Sequence, residues 1–394
     1  MVVVTDTSQI ADLHAATADL DPPLAALDLN ALRANAADLV RRARGVPIRV
    51  ASKSVRCRAV LEEVLGSDLT AHGGFAGIMS YSLREALWLA GHGARDVLLG
   101  YPTVDRSALA ELGADATLLD SITLMVDDVA QLDLIRSAIG TTAAPRICLD
   151  IDASLRIGPL HLGVRRSPIR TPEQAERLAR AARDRGFRVV GAMTYEAQIA
   201  GLPDTNPAVR VVKRLSASEI GSRRTRVLDA VRSVAGALEI VNSGGSGSIE
   251  VSVGAPEVTE VTAGSGLYVP TLFDGYRSFT PRPALFFALP VLRRPAPDIA
   301  TAFAGGYIAS GPAGASRVPK PVWPKGLRLI GTEGAGEVQT PFTGAAELKV
   351  GDRVWLRHAK AGELCERFDR IQIVDADDRR IEVPTYRGEG RNFG

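Results

Sequence analysis

A chain of 394 residues with 46% hydrophobic and 23% charged side chains has the balance of a globular protein of two or three domains, and wholesale disorder is excluded. Its 47 Lys and Arg against 45 Asp and Glu leave a net charge of +2, too small a field for nucleic acid to be the main partner. Three cysteines, Cys57, Cys148 and Cys365, are too few and scattered for a disulfide framework and fit a reducing compartment.

At the N-terminus, MVVVTDTSQI has no basic segment followed by a long apolar stretch, so no secretory signal is evident. The runs LEIV and ALFFALPVL are too short to span a bilayer. A soluble, cytoplasmic protein with no membrane partner is expected. From about residue 24 to 275 one rhythm repeats: a short β-branched run, a polar or glycine-bearing loop, then a helical pattern. A helix over 30–44 comes before the first run. Eight runs follow, at 48–52, 76–80, 97–100, 122–126, 146–151, 188–194, 239–242 and 258–262. Most are apolar at consecutive positions, as parallel strands covered on both faces must be. Between them, 82–91 carries Leu83, Ala86, Leu87 and Ala90 at helical spacing behind Ser82 as N-cap. The stretch 171–185 opens on Thr171 and Pro172 and is followed by Gly186. Eight alternations predict an α/β fold, a closed (β/α)8 barrel (TIM barrel) over 24–276, with an open doubly wound sheet as the alternative. After Tyr276 the prolines 281, 283, 290, 295 and 297 argue against helix, and short alternating runs follow. A smaller C-terminal β domain over 281–394 is predicted, with residues 1–23 left open as an addition to it.

Reacting groups in such barrels lie at the C-terminal ends of the strands. There the sequence places Lys53, Tyr81 and Tyr101 after strands one to three. Asp150 and Asp152 end the fifth, and Tyr195, Glu196 and Gln198 follow the sixth. The seventh leads into NSGGSGS and the eighth into AGSGLY. Two Gly/Ser loops, 242–248 and 264–266, stand where barrels hold phosphate on converging backbone N–H groups; the bland reading is a pair of flexible turns. A lysine at the barrel mouth sheds solvent, which favours the free amine as a nucleophile for a carbonyl. Opposite a phosphate cradle, Lys53 suits a phosphorylated aldehyde, and pyridoxal 5'-phosphate offers both handles.

In their order along the chain, LAALDLNALRANAADLV, RVASKS, GIMSYSLREALWLAGHG, DVLLGYP, HLGVR, GAMTYEAQIAG, EIVNSGGSGS and TAGSGLYVPTLFDGY resemble the alanine-racemase-like (fold-type III) pyridoxal-phosphate enzymes. The likeness is to their D-threonine aldolase and D-serine dehydratase branch in particular. It implies that Lys53 holds the cofactor as a Schiff base and that Tyr195 packs on the pyridine face. It implies a phosphate loop of Asn242, Ser243, Gly244, Gly245, Ser246 and Gly247, completed by Gly264, Ser265 and Tyr268. The arginine that relatives place near the cofactor's phenolic oxygen is replaced by His161 if HLGVR aligns there, or is Arg156 if LRIG does. Thr262 stands near the position where racemases carry an arginine on the pyridine nitrogen, which leans toward the aldolase and dehydratase branch. Members of that branch bind a divalent metal through a histidine and, two residues on, a Cys or Asp. Here His358 is followed at that spacing by Lys360, whose ammonium has no lone pair to give. His358 and Cys365 are weak metal candidates, and a Lys360 ammonium standing in for the metal is a third possibility.

The resemblance therefore implies a pyridoxal-phosphate-dependent lyase acting on a D-3-hydroxy amino acid, by aldol cleavage or by dehydration and deamination. His358 is the candidate for acting on the substrate hydroxyl, through an imidazole that titrates near neutrality. Relatives are commonly homodimers. The alternatives are a racemase on the same fold, with Tyr307 or Tyr386 as second base, a non-catalytic pyridoxal-phosphate-binding protein, and a cofactor-free sugar-phosphate aldolase. Residues His14, His72 and His92 read as structural or solvated, Arg223, Arg224 and Arg226 as a solvated helix face, and Trp323 as structural.

Overall fold

A computed structural model describes residues 7–394 apart from Thr205, Ser278, Pro281, Ala313 and Asp378. Residues 1–6 of the N-terminal segment and Pro281, the expected start of the second domain, thus lie outside the described residues. Two compact units emerge. One gathers 39–53, 61–264 and 393–394, and the other the described residues up to Asp38, 54–60 and 265–392.

The first unit is the closed barrel. Its strands are Ile48–Ala51, Phe75–Ser80, Val97–Leu99, Ile122–Val126, Arg146–Ile151, Arg188–Thr194, Ile240–Ser243 and Glu260–Ala263. Each pairs in parallel with the next, and strand one closes the ring, Val50 meeting Ile78 of strand two and Ala263 of strand eight. Consecutive apolar residues make this possible, since every residue of strands three and four is buried. Leu98, Met125, Cys148, Val190, Met193 and Ile240 pack as one buried cluster. Gly191 is obligatory at its place, because a Cβ there would lie 2.4 Å from the Ile240 carbonyl oxygen of the adjoining strand. Ser82 caps Leu83–Gly91, and Thr171 forms a capping box with Gln174 ahead of Pro172–Asp184.

One expectation on this unit fails. In the helix Pro207–Ala235, Arg226 is exposed, but Arg223 and Arg224 are buried. Arg223 donates to the Asp152 carbonyl oxygen at 2.5 Å and pairs with Glu219; Arg224 pairs with Glu257. Carbonyl and carboxylate acceptors make it possible to sink both guanidinium groups.

The second unit is built on a nine-stranded sheet. Its long strand Leu285–Ala296 pairs antiparallel with Leu24–Asp28, Ile299–Phe303 and Arg353–Arg357. From Leu24–Asp28 the sheet continues through Arg370–Val374 to the edge strand Arg380–Pro384, and from Ile299–Phe303 through Gln339–Thr343 to the edge strand Arg328–Leu329. A third edge, Lys320–Trp323, lies on Arg353–Arg357. The run Leu24–Asp28, placed by its pattern within 24–276, therefore belongs to this sheet. A buried five-residue apolar strand looks the same in either setting. Helix Thr7–Ala16 sinks Ile10 and Leu13 among Phe286, Trp355 and Val374, and Trp323 packs against the same cluster with His14 4.8 Å away. Among the described residues no helix is long and apolar enough to cross a membrane.

Candidate active site

Strand one ends in the short turn Ser52–Ser54, which carries Lys53. Strand three ends one residue before Gly100, where a Cβ would come within 3.0 Å of Met79 Cγ and 3.3 Å of the Ser80 carbonyl oxygen. That tight passage delivers Tyr101 to the mouth. Lys53 Nζ donates to Tyr101 Oη at 2.5 Å and sits 5.2 Å from the ring centre. The Arg166 guanidinium lies 5.6 Å from the ring centres of both Tyr101 and Tyr195. Burial would push the Tyr101 phenol up, but the Lys53 ammonium and the Arg166 guanidinium outweigh it and hold the group below its ordinary value. Tyr195, with burial dominant, is raised. Asp150 at the end of strand five is lifted to about 7 by burial and by neighbouring Asp127, against the pull of Arg166.

Neither candidate for the arginine role is shown beside this group. Arg156 and His161 face each other across the small hairpin Leu155–Ile157 and Leu160–Leu162. Arg156 Nη2 is held by Asp152 Oδ2 at 2.8 Å, with its side chain 45% exposed, and His161 Nε2 lies 3.3 Å from the Val164 carbonyl oxygen. Arg166 is the cation set between the tyrosines, and sequence reasoning missed it because a doublet in a polar loop reads as solvated surface. The one available signal was its position on the loop after strand five.

After strand seven, Gly244 has φ +85, and a Cβ there would lie 2.5 Å from Ser252 Oγ; one on Gly245 would lie 3.0 Å from Ala200 Cβ and 3.4 Å from Tyr195 Cε2. The loop is pinned from within by Glu196. Its Oε1 accepts from Ser243 Oγ at 2.8 Å and Ser252 Oγ at 3.0 Å, and its Oε2 accepts from the Gly244 N–H at 2.9 Å. Arg42 donates to the Ser246 carbonyl oxygen, and Arg224 to Ser243 Oγ. Ser248 Oγ takes the Gly245 N–H, and Ser246 Oγ takes the Gly264 N–H. Gly245 and Gly247 are the partly exposed members between buried serines. Asn242 turns its amide into the barrel, onto Glu260 and Thr262. The other two residues expected to complete the loop fall in the β unit. Ser265 Oγ lies 3.3 Å from Ser54 Oγ, and Tyr268 is fully buried with its hydroxyl donating to the Val55 carbonyl oxygen.

His358 also belongs to the β unit, directly after the strand Arg353–Arg357. It is buried, edge-on to Tyr268 at 6.4 Å, and burial with the adjoining Arg357 pushes its pKa down to about 3 against a backbone contact to Leu285. The imidazole is therefore neutral throughout the physiological range, not poised near neutrality as expected. Lys360 Nζ donates to Ser310 Oγ, and buried Cys365 has its Sγ 4.0 Å from Tyr268 Oη. Among the described residues no three His, Cys, Asp or Glu side chains are gathered to hold a metal ion. Both ring nitrogens of His358 are buried without a hydrogen-bond partner, but no third donor side chain joins His358 and Cys365 among the described residues.

Residues 27–271, more than half of the chain, match the family model described as alanine racemase, N-terminal domain. A search of curated proteins returns no match. Among solved structures, D-threonine aldolase from Filomicrobium marinum is similar with a TM-score of 0.77 at 21% identity, covering 94% of this chain and 97% of that one. D-threo-3-hydroxyaspartate dehydratase from Delftia sp. HT23 gives 0.72 at 21% identity, with 93% and 97% covered. An alanine racemase of Clostridium difficile 630 in complex with cycloserine gives 0.60 at 14% identity, with 93% and 99% covered. At these identities the likeness is one of fold.

Proposed function

The chain belongs to the alanine racemase N-terminal domain family, and on that premise we propose that it is a pyridoxal-phosphate-dependent lyase acting on a D-configured 3-hydroxy amino acid. The observation that carries the reading is the placement of Lys53 and the Gly/Ser loop at one mouth of one barrel, on strands that neighbour each other through strand eight. The site fits the cofactor. Gly245 and Gly247 leave partly exposed backbone in the loop, buried serine hydroxyls flank it, and a lysine stands within the same ring of strand ends. Once bound, the cofactor supplies an electron sink for the charge released at the substrate α-carbon.

The residues of the chain do the rest. Lys53 would hold the cofactor through Nζ, and the same amine would serve as the base for an α-proton. Tyr195 offers its ring as a packing face, and Arg166 sets a positive charge beside it. Glu196, Arg42 and Arg224 fix the loop from behind, so that Gly245 and Gly247 would be left to hold the phosphate. Asp150 holds a proton on its carboxyl near neutral pH and can yield or take one at little cost. The aldolase and dehydratase likenesses support both cleavage and dehydration. A homodimer is part of the proposal, to be checked by light scattering, and three buried cysteines outside any disulfide support a reducing, cytoplasmic setting.

The deciding experiment is a visible spectrum of the protein loaded with pyridoxal phosphate, borohydride reduction, and peptide mapping. A reduced adduct on Lys53 is expected. Product analysis with D-threonine and D-serine then separates glycine and an aldehyde from a keto acid and ammonia. No adduct on Lys53, or no product from either D-amino acid, overturns the proposal.

A further inference from the structure

Tyr101 is not among the residues that the family resemblance brings to the site, yet it makes the contact of 2.5 Å with the reacting nitrogen. An amine that must repeatedly gain and lose a carbonyl partner has a proton problem. As an ammonium it has no lone pair, so before each bond-forming step it must pass a proton to a neighbouring group or to water, and Tyr101 Oη is the neighbour at hand. Resting on the cofactor-dependent reading above, we propose that Tyr101 is a catalytic residue whose phenol oxygen takes a proton from Lys53 Nζ and returns it whenever that nitrogen makes or breaks its carbonyl bond.

The step balances. Lys53 as ammonium and Tyr101 as phenolate become free amine and phenol. The amine lone pair then forms the C–N bond, the carbonyl oxygen departs as water with the two amine protons, and an imine remains. No oxidant, reductant or co-reactant enters.

The surroundings favour the phenolate of Tyr101 more than water would favour that of an ordinary phenol. Lys53 comes from strand one, Arg166 from the loop after strand five, Asp150 from the end of strand five and Tyr195 from the end of strand six. The two cations favour the phenolate, and the Asp150 carboxylate opposes it. Arg166 sits over the ring of Tyr101 and over that of Tyr195, so its charge is directed at this pair of rings. Without a phenolate partner, Lys53 has to wait for solvent to deprotonate it.

The test is stopped-flow mixing of cofactor-free protein with excess pyridoxal phosphate, following the absorbance of the adduct from about pH 6 to about pH 10. Wild type is compared with Tyr101→Phe and Arg166→Met, and Lys53 is confirmed as the site by borohydride and mapping. Tyr101→Phe is expected to form the adduct on the order of a hundredfold more slowly at pH 7, in the usual range for losing a proton-transfer group. The deficit should close toward about pH 10, where an ordinary lysine is largely deprotonated by solvent. Arg166→Met should keep the high-pH rate and move the midpoint of the profile upward, and it decides the matter if the tyrosine variant does not fold. Equal rates for Tyr101→Phe at all pH values, or a deficit equal at all pH values, overturns the assignment, as does an unmoved midpoint in Arg166→Met. A wild type that forms no Lys53 adduct defeats the proposed function itself, and this assignment with it.

Discussion

Replacing Glu196 by glutamine changes one atom and almost no volume, yet the structure makes it costly. Ser243 Oγ already accepts from Arg224 Nη1 at 3.0 Å and Thr194 Oγ1 at 3.2 Å, and gives its own proton to Glu196 Oε1. The Gly244 N–H needs an oxygen, so the new amide must turn its oxygen toward Gly244 and its NH2 toward the serines. Ser243 Oγ then faces a third donor with no lone pair left, and the bond from Ser252 reverses or breaks. Two bonds to a charged acceptor, at about 1.5 kcal/mol each, put the loss near 3 kcal/mol. Urea denaturation of the cofactor-free variant should show a fall of that order in unfolding free energy. Titration with pyridoxal phosphate should show a weaker complex as the loop loosens. An unfolding midpoint and an affinity both equal to wild type would refute the claim that Glu196 shapes this loop.

Two further outcomes are expected. Asp150 is held protonated to about pH 7 in the folded state, whereas an unfolded aspartate ionises near 4. The folded form thus binds the proton more tightly, and stability falls as pH rises from about 4 to about 7. Asp150→Asn escapes that loss, so relative to wild type it should gain a few kcal/mol at pH 8 and much less at pH 4.5, read by urea denaturation at both. Exhaustive chelation should leave the melting temperature and the Lys53 adduct spectrum unchanged, because no metal-holding group of side chains is gathered among the described residues. A drop of several degrees restored by a divalent cation would show that reading to be mistaken.

The barrel was legible because its grammar is local. Strands buried on both faces must be apolar at consecutive positions, and caps such as Ser82 and Thr171 with Gln174 announce their helices within four residues. Lys53 and the Gly/Ser loop were legible for a related reason, since strand ends in a barrel share one rim. What stayed hidden depended on partners far away in sequence. Arg223 and Arg224 are polar in the string, but the Asp152 carbonyl and Glu257 receive them inside. His358 looks titratable until the residues burying it are known, and Arg166 gains meaning only once Tyr101 and Tyr195 flank it. Leu24–Asp28 shows the same limit for backbone: five residues state that they are a buried strand and nothing about which sheet will accept them.

A ring of strands has no unpaired rim of amides, but the nine-stranded sheet of the other unit ends in three such rims, and each is blunted against self-association. Arg328–Leu329 offers only two residues to a neighbouring copy. Lys320–Trp323 carries Pro321, which has no N–H to give a further strand, and Arg380–Pro384 bears Arg380 and Glu382 and closes on another proline. Fibril-like stacking is thereby discouraged at these three margins, and a strand-forming substitution at Pro321 would remove one of the obstacles.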